Sequence, residues 1–303
     1  MEPEPYLPYF DASSCPSSSR WWSRETMAVV TGGNGGIGYA LVKRLAELGV
    51  TVILAARNRE KGEGALMSLR AEGLVHVHFL LLDVSDPISI TAFASAFKAK
   101  FGPTLDILVN NAGVSFNELH ANSVEHAETV MKTNFYGPRL LIQALLPLFR
   151  PNSSNVNRIL NVSSRLGSLD KVRNPEIRKV LEGEKLEDEE IEEMVRKFAR
   201  DVKSGRWKSR GWPEYWTEYA VSKLALNAYS RILAKRLQGS ISVNCFCPGF
   251  TKTCMTKGQG IHSPSHAASL AATLALLPPH LLPTSKFFLL RSSTPSRSHL
   301  SRL

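Results

Sequence analysis

Tyr219 and Lys223, in the run EYAVSKLAL, lie four positions apart, which on a helix puts both side chains on one face. A phenol with an ordinary pKa near 10 is a poor acid or base at neutral pH, and each unit by which a neighbouring cation lowers it corresponds to about 1.4 kcal/mol. Lys223 can supply that cation. The pair recurs by chance on many helices, so its chemistry depends on what else the chain brings near it.

A second group of residues suits phosphate. In VVTGGNGGIGYALVKRL, from Val29 to Leu45, glycines separate an apolar run from an amphipathic one. Such a turn lets backbone N–H groups approach a pyrophosphate, whose charge the following helix N-terminus favours. The glycines fit two registers: GxGxxG through Gly33, Gly35 and Gly38, and TGxxxGxG through Thr31, Gly32, Gly36 and Gly38. Both share Gly38, so the loop alone does not choose. After the next apolar run, VILAARN offers Arg57 where a site for an unmodified ribose carries a carboxylate. A guanidinium fork suits a ribose 2′-phosphate, which favours NADP(H) over NAD(H).

Other reactive residues carry less. His262 and His266 are separated by Ser-Pro-Ser, read as unhelical and without a third ligand nearby, so no metal is expected. Cys254 stands near the expected pocket rim without an assured cationic neighbour to activate it. Cys245 and Cys247 alternate along an apparent strand and read as buried packing.

The elements that must position these groups follow from periodicity. MAVVT, TVILAA, VHFLLLD, DILVNNAG, RILNVSS and SISVNCFCP are strand-like, and helix-length segments separate them. That alternation predicts right-handed crossovers and a parallel sheet covered on both faces, a doubly wound α/β domain with ligands outside the carboxyl ends of its strands. Asp86-Pro87 and Ser123 mark helix starts. The charge-dense segment 174–212 breaks the rhythm and reads as a helical insertion, about 168–215 in all. Leu186, Ile191, Met194, Val195 and Phe198 form its apolar stripe, and Glu187, Asp188, Glu190, Glu192, Lys197 and Arg200 a face expected to be wet.

With 303 residues, 43% hydrophobic and 21% charged, the chain can bury a sizeable core. Residues 1–26 read as an arm, 27–290 as the domain and 291–303 as a basic Ser/Arg-rich tail. No apolar run reaches the roughly 20 residues of a membrane span, and the N-terminus lacks a secretory pattern. Four cysteines are too few for a disulfide framework, which fits a reducing, cytoplasmic setting. The net charge of +10 is spread along the chain, and its densest cluster reads as a solvated end. No nucleic-acid or membrane partner is expected.

Taken in order, TGxxxGxG, NNAG at Asn110 to Gly113, NVSS at Asn161 to Ser164, YxxxK at Tyr219 to Lys223 and PGFTKT from Pro248 resemble the short-chain dehydrogenase/reductase family. The likeness runs from about Met27 to Phe288 and selects the TGxxxGxG register. The insertion, RWWSRET and MKTNFYGPRLLIQALLPLF resemble the plant branch of menthone, neomenthol and salutaridine reductases, akin to animal carbonyl reductases. The resemblance implies a single Rossmann-like domain using NADPH/NADP+. Tyr219 would be the general acid toward a substrate carbonyl, and Ser164, rather than Ser163, would bond the same oxygen. Lys223 would hold the nicotinamide ribose and depress the Tyr219 pKa, and Asn134 would anchor a water in the proton relay. Thr31, Gly32, Asn34, Gly36, Ile37 and Gly38 would meet the diphosphate. Asp83 and Val84 would meet the adenine, Asn110, Ala112 and Gly113 the ribose side, and Pro248, Gly249 and Thr251 the carboxamide.

Two departures stand out. Gly35 replaces the Lys or Arg usual in NADPH-dependent members of this branch, and the sequence after LPTSKFF is unlike the family's last strand, as in a truncated or alternatively spliced product. The expected function is NADPH-dependent reduction of a ketone or aldehyde on a hydrophobic small molecule, terpenoid- or alkaloid-like, reversible to alcohol oxidation. A catalytically weak or inactive NADP(H)-binding protein and an anion binder using the tail stand beside it. The resemblance also implies that the insertion covers the face by which compact members dimerise, giving a monomer. Trp207, Trp212 and Trp216 are then candidate contacts for the substrate or for a lid.

Overall fold

The computed structural model describes residues 12, 14–16, 19–116, 123–151 and 156–290. The tail 291–303 lies outside the described residues.

Apolar β-branched runs buried on both faces make the strands β1 (Met27–Thr31), β2 (Thr51–Ala56), β4 (Leu105–Asn110), β5 (Asn157–Val162) and β6 (Ile241–Cys247), with the less buried β3 (Val77–Leu81) at one edge. A short β7 (Phe287–Leu289) pairs with Cys245–Cys247 at the other edge. Phe287 and Phe288 of β7 belong to LPTSKFF, and the divergent sequence from 291 on lies outside the described residues. The sheet is parallel throughout, in the order β3-β2-β1-β4-β5-β6-β7. Strand order reverses between β1 and β4, the switch point at which such sheets open a ligand crevice.

Helices α1 (Gly36–Glu47), α2 (Arg59–Ala71) and α9 (Pro264–Leu276) cover one face. The other face carries α3 (Pro87–Phe101), α4 (Val124–Met131), α5 (Gly137–Leu145) and α8 (Thr217–Arg236). Asp86 and Ser123 cap α3 and α4 as expected, accepting from the N–H groups of Ile88 at 2.9 Å and His126 at 3.0 Å. Ser263 caps α9 through the N–H of His266, so Ser-Pro-Ser opens a helix, contrary to the sequence reading: Pro at the first helical position sacrifices no bond.

Residues 19–26 are docked rather than detached. Trp21 and Trp22 donate their indole N–H groups to Leu276 O and Leu48 O, and the Arg158 guanidinium stacks 3.5 Å over the Trp21 ring. Burial pulls Arg158 down to about 9. This staple closes the end of the sheet opposite the glycine loop.

The insertion supplies α6 (Pro175–Glu182) and α7 (Asp188–Lys203), and α7 lies against α4 and α8. Its five stripe residues are all buried, in the same core as Val221, Leu224 and Ile232 of α8. The opposite face is less wet than expected. Arg236 bonds Asp188 at 2.6 Å and Glu187 at 2.9 Å, and Arg139 of α5 pairs with Glu192, so Asp188 and Glu192 work as clamps. Trp207 and Trp212 are buried within the insertion, Trp212 edge-on to Phe198 and donating to Asp201 at 2.9 Å. Of the two lid or substrate roles expected for these tryptophans, only the internal one suits their burial. Among the described residues no helix is long and apolar enough to cross a membrane.

Candidate active site

The turn between β1 and α1 resolves the register physically. Gly32 and Gly36 have φ of +65° and +54°, the left-handed region that side chains disfavour. A Cβ on Gly38 would stand 2.2 Å from the Gly32 carbonyl oxygen. Gly35 is extended, with φ of −168°, and a Cβ there meets nothing within 4 Å. Glycine is thus required at the TGxxxGxG positions and incidental at Gly35. Thr31 Oγ1 accepts from the N–H groups of Asn111 and Ala112 at 3.0 and 2.9 Å, and the Asn111 side chain donates to Thr31 O, pinning the turn to the end of β4. Asn34 is half-buried, and Ile37 anchors the first turn of α1 in the core.

That geometry fits a dinucleotide. No side chain caps the first turn of α1, so its N–H groups face the crevice unpaired by any cap. The Gly33 N–H bonds Ala55 O, which brings the turn beside the end of β2. Arg57 follows directly, exposed and, among the described residues, without a hydrogen bond or ion pair. Asp83 after β3 is tied to Ser85 through N–H and Oγ contacts at 2.9 and 2.7 Å, and the Val84 side chain belongs to the core.

On the far side of the switch point, β5 ends at Ser163 and Ser164. Ser163 Oγ donates to Asn227 at 2.6 Å and is committed to structure. Ser164 caps a short 3-10 turn by accepting from Leu166 N and lies against the Tyr219 phenol. Helix α8 carries Tyr219 and Lys223 on one face, and its first residue follows Trp216, held at φ of +47° with its indole N–H buried and, among the described residues, without a hydrogen-bond partner. Lys223 Nζ donates to Val162 O at 2.8 Å and stands 5.6 Å from the Tyr219 ring centre. A side chain on Gly113 would come within 3.8 Å of that ammonium, so glycine keeps the space beside it open. Asn110 is buried in the sheet and donates to Asn161, which donates to Ser230.

Electrostatics depart from one expectation. Burial, reinforced by Cys247 and offset by the Ser164 hydroxyl, raises the Tyr219 phenol well above its ordinary value. Burial outweighs any help from Lys223, whose ammonium donates to Val162 O. Burial lowers Lys223 to about 8, leaving it mostly protonated at neutral pH.

Asn134 is fully buried in a π-helical turn, Lys132–Tyr136, between α4 and α5. Its side chain exchanges two bonds of 2.9 Å with the Val114 backbone and donates to Ser222 at 3.1 Å. With its amide so engaged, the side chain locks the turn to β4 and α8, and any water it helps to hold must meet backbone groups of the turn. After β6, Gly249 has φ of +65° and packs under His262, while buried Thr251 donates to Pro248 O at 2.8 Å.

Three neighbours escaped the sequence reading. Asn111 holds the glycine turn, though it lay inside the NNAG motif. Thr253 Cγ2 would meet a side chain on Gly36 at 3.4 Å, so the loop after β6 folds back over the phosphate turn. Cys247 Sγ accepts from Arg165 N at 3.3 Å beside Ser164. No local pattern announces the last two, because both contacts join segments remote in sequence.

Known proteins share this arrangement. Residues 26–175 match the family described as short chain dehydrogenase, and residues 187–275 that described as enoyl-(acyl carrier protein) reductase. The chain is 37% identical to (+)-neomenthol dehydrogenase of Arabidopsis thaliana, over 86% of this chain and 95% of that one. It is 38% identical to carbonyl reductase (NADPH) 1 of Mus musculus, over 85% and 93%. The solved structure of salutaridine reductase from Papaver somniferum superposes with a TM-score of 0.81 at 34% identity, covering 87% of this chain and 99% of that one. The chain is an oxidoreductase belonging to the short-chain dehydrogenase/reductase family.

Proposed function

We propose that this protein reduces a ketone or aldehyde on a hydrophobic small molecule, terpenoid- or alkaloid-like, using NADPH, and that the same groups oxidise the alcohol in reverse. The observation that carries this reading is the convergence of Ser164, Tyr219 and Lys223 beyond β5, with Arg57, unpaired among the described residues, after β2 on the other side of the switch point. The names of its relatives, a neomenthol dehydrogenase, an NADPH carbonyl reductase and a salutaridine reductase, support the substrate class and the cofactor. Exposed Phe116, Tyr215 and Phe250, on segments that lead to or from the site, suit an apolar substrate.

Bound NADPH would supply the hydride. The diphosphate would lie on the Gly32–Gly38 turn with the 2′-phosphate toward Arg57. Tyr219 holds its proton throughout the neutral range because its acidity is suppressed, and Oη delivers that proton to the carbonyl oxygen. Ser164 Oγ donates to the same oxygen and fixes it before transfer. Lys223, freed from Val162 O, meets the ribose hydroxyls and favours the tyrosinate left behind. Asn134 keeps the turn through which a replacement proton arrives.

We further propose a monomer, since α7 packs its apolar stripe on the outer side of α8, and a cytoplasmic setting, since the four cysteines are all free. Light scattering at micromolar concentration tests that assignment, and a stable dimer would overturn it. The activity is tested by following NADPH absorbance with a panel of cyclic ketones and aromatic aldehydes. Consumption with none of them, despite tight NADPH binding, would replace the reductase with a nucleotide-binding protein.

A further inference from the structure

The insertion does more than cover α8. Tyr136, the last residue of the π-turn, donates its hydroxyl to Glu192 Oε2 of α7 at 3.0 Å. The other oxygen of Glu192 is bonded by Arg139 from the first turn of α5. Arg139 also lies 3.9 Å from Asp188, which Arg236 of α8 holds at 2.6 Å. Glu192 is therefore fixed on both oxygens.

Asn134 sits two residues before Tyr136, and side chains two apart on a helical turn do not face each other. One side of the turn is tied to the site through Asn134, Val114 and Ser222, whose hydroxyl donates to Tyr219 O at 2.7 Å. The other side is tied to the insertion through Tyr136. A π-turn makes hydrogen bonds from residue i to i+5 and is less favourable than α-helix, so it persists where contacts on both sides hold it. Gly137, next in the chain, packs so closely on the Val84 carbonyl oxygen that a Cβ would lie 2.5 Å away. Beside Tyr136, α4 and α7 leave a cavity of about 180 Å³, apolar at Met131, Val195 and Phe198 and edged by Glu128, Lys132 and Arg196. The Tyr136 ring packs on Phe135 at 4.9 Å on its inner side, and the bond to Glu192 fixes its hydroxyl end on the side of α7.

We propose that Glu192 and Tyr136 are positioning residues for carbonyl reduction, acting through the π-turn that carries Asn134. The proposal rests on the reductase reading above. Tyr136→Phe removes only a hydroxyl, and Glu192→Leu removes the acceptor. Each should lower kcat about five- to tenfold, within the roughly two- to thirtyfold over which contacts remote from the chemistry tune coupling, with NADPH affinity unchanged. The double variant should lose no more than either single one, since both cut the same link. Glu192→Gln keeps an acceptor for the hydroxyl and should stay within about twofold of the parent, by the same coupling logic. The solvent deuterium isotope effect on kcat should rise in Tyr136→Phe as proton delivery becomes slower, which a merely structural loss would not produce. Independently of turnover, amide exchange at Val114 and across 132–137 should quicken in both variants. Unchanged kcat and exchange in Tyr136→Phe, or losses that multiply in the double variant, would overturn the proposal. Absence of NADPH turnover in the parent would instead strike the reductase reading, and the exchange measurement would still decide whether the link exists.

Discussion

At Gly32, Gly36 and Gly38 of the first turn, a single added methyl collides with backbone or sits on a left-handed residue, whereas across α6 and α7 no such constraint operates. The insertion is held by a stripe of side chains, Ile191, Met194, Val195 and Phe198, and by charges reaching it from α5 and α8. The first region is specified by what each residue's backbone must do, and each requirement leaves a fixed letter in the sequence. The second is specified by total burial, which many sequences satisfy. A motif can therefore name the cofactor side of this enzyme, while the insertion is free to vary. That freedom is how one scaffold serves relatives named for different substrates.

The largest expected effect separates chemistry from both regions. Tyr219→Phe should lower turnover by about 10²- to 10⁴-fold, the usual contribution of a positioned acid, with NADPH binding by fluorescence intact. Retained turnover would move the acid elsewhere. In the insertion, Phe198→Ala should cost about 3–5 kcal/mol, as for other fully buried aromatics, read as a lower denaturation midpoint. NADPH affinity should barely move, and a parallel loss of affinity would erase the contrast between the two regions.

On the cofactor side, Arg57→Ala should weaken NADPH by about 1.5–3 kcal/mol, the worth of a hydrogen bond to a charged group, and leave NADH nearly unaffected in the same titration. Equal losses would show that Arg57 does not read the 2′-phosphate. The pH dependence is smaller. Lys223 is lowered to about 8, so its protonated fraction falls as pH rises through that value, and the reduction rate should decline there in a stopped-flow series. Tyr219 stays protonated across this interval and contributes no fall of its own. The smallest effect is expected at Gly35, where a side chain has open space. Gly35→Ala should leave NADPH affinity and thermal midpoint almost unaltered, in contrast to Gly38→Ala, whose methyl meets Gly32 O. Equal damage from both would return the register question to the start.

Much of the site was legible before any coordinates. The strands β1 to β6 announced themselves because strands covered on both faces read as continuous apolar runs, and Tyr219 and Lys223 because helical spacing fixes their shared face. Other features resisted for physical reasons. The three residues of β7 are too short for a period, and their pairing partner lies some 40 positions earlier in β6. Glu192 and Asp188 fell on the polar side of a helix whose amphipathic pattern cannot reveal that cations of α5 and α8 wait opposite. Trp207 and Trp212 were legible as apolar but not as internal. Asn134 stood out in the motif, but nothing local to it showed that its amide would bond the Val114 backbone and Ser222.

The amino-acid order by itself determined the parallel α/β class, the glycine turn after β1, the arginine that follows β2 and the tyrosine–lysine pair. All of these rest on local rules of backbone freedom, helical spacing or charge that act within a few residues. Only the tertiary structure decided that burial, rather than Lys223, governs the Tyr219 phenol, that Thr253 folds over Gly36, and that the insertion grips the π-turn through Glu192. Those outcomes depend on desolvation and on contacts between segments far apart in the chain, quantities that exist only once the chain has closed on itself.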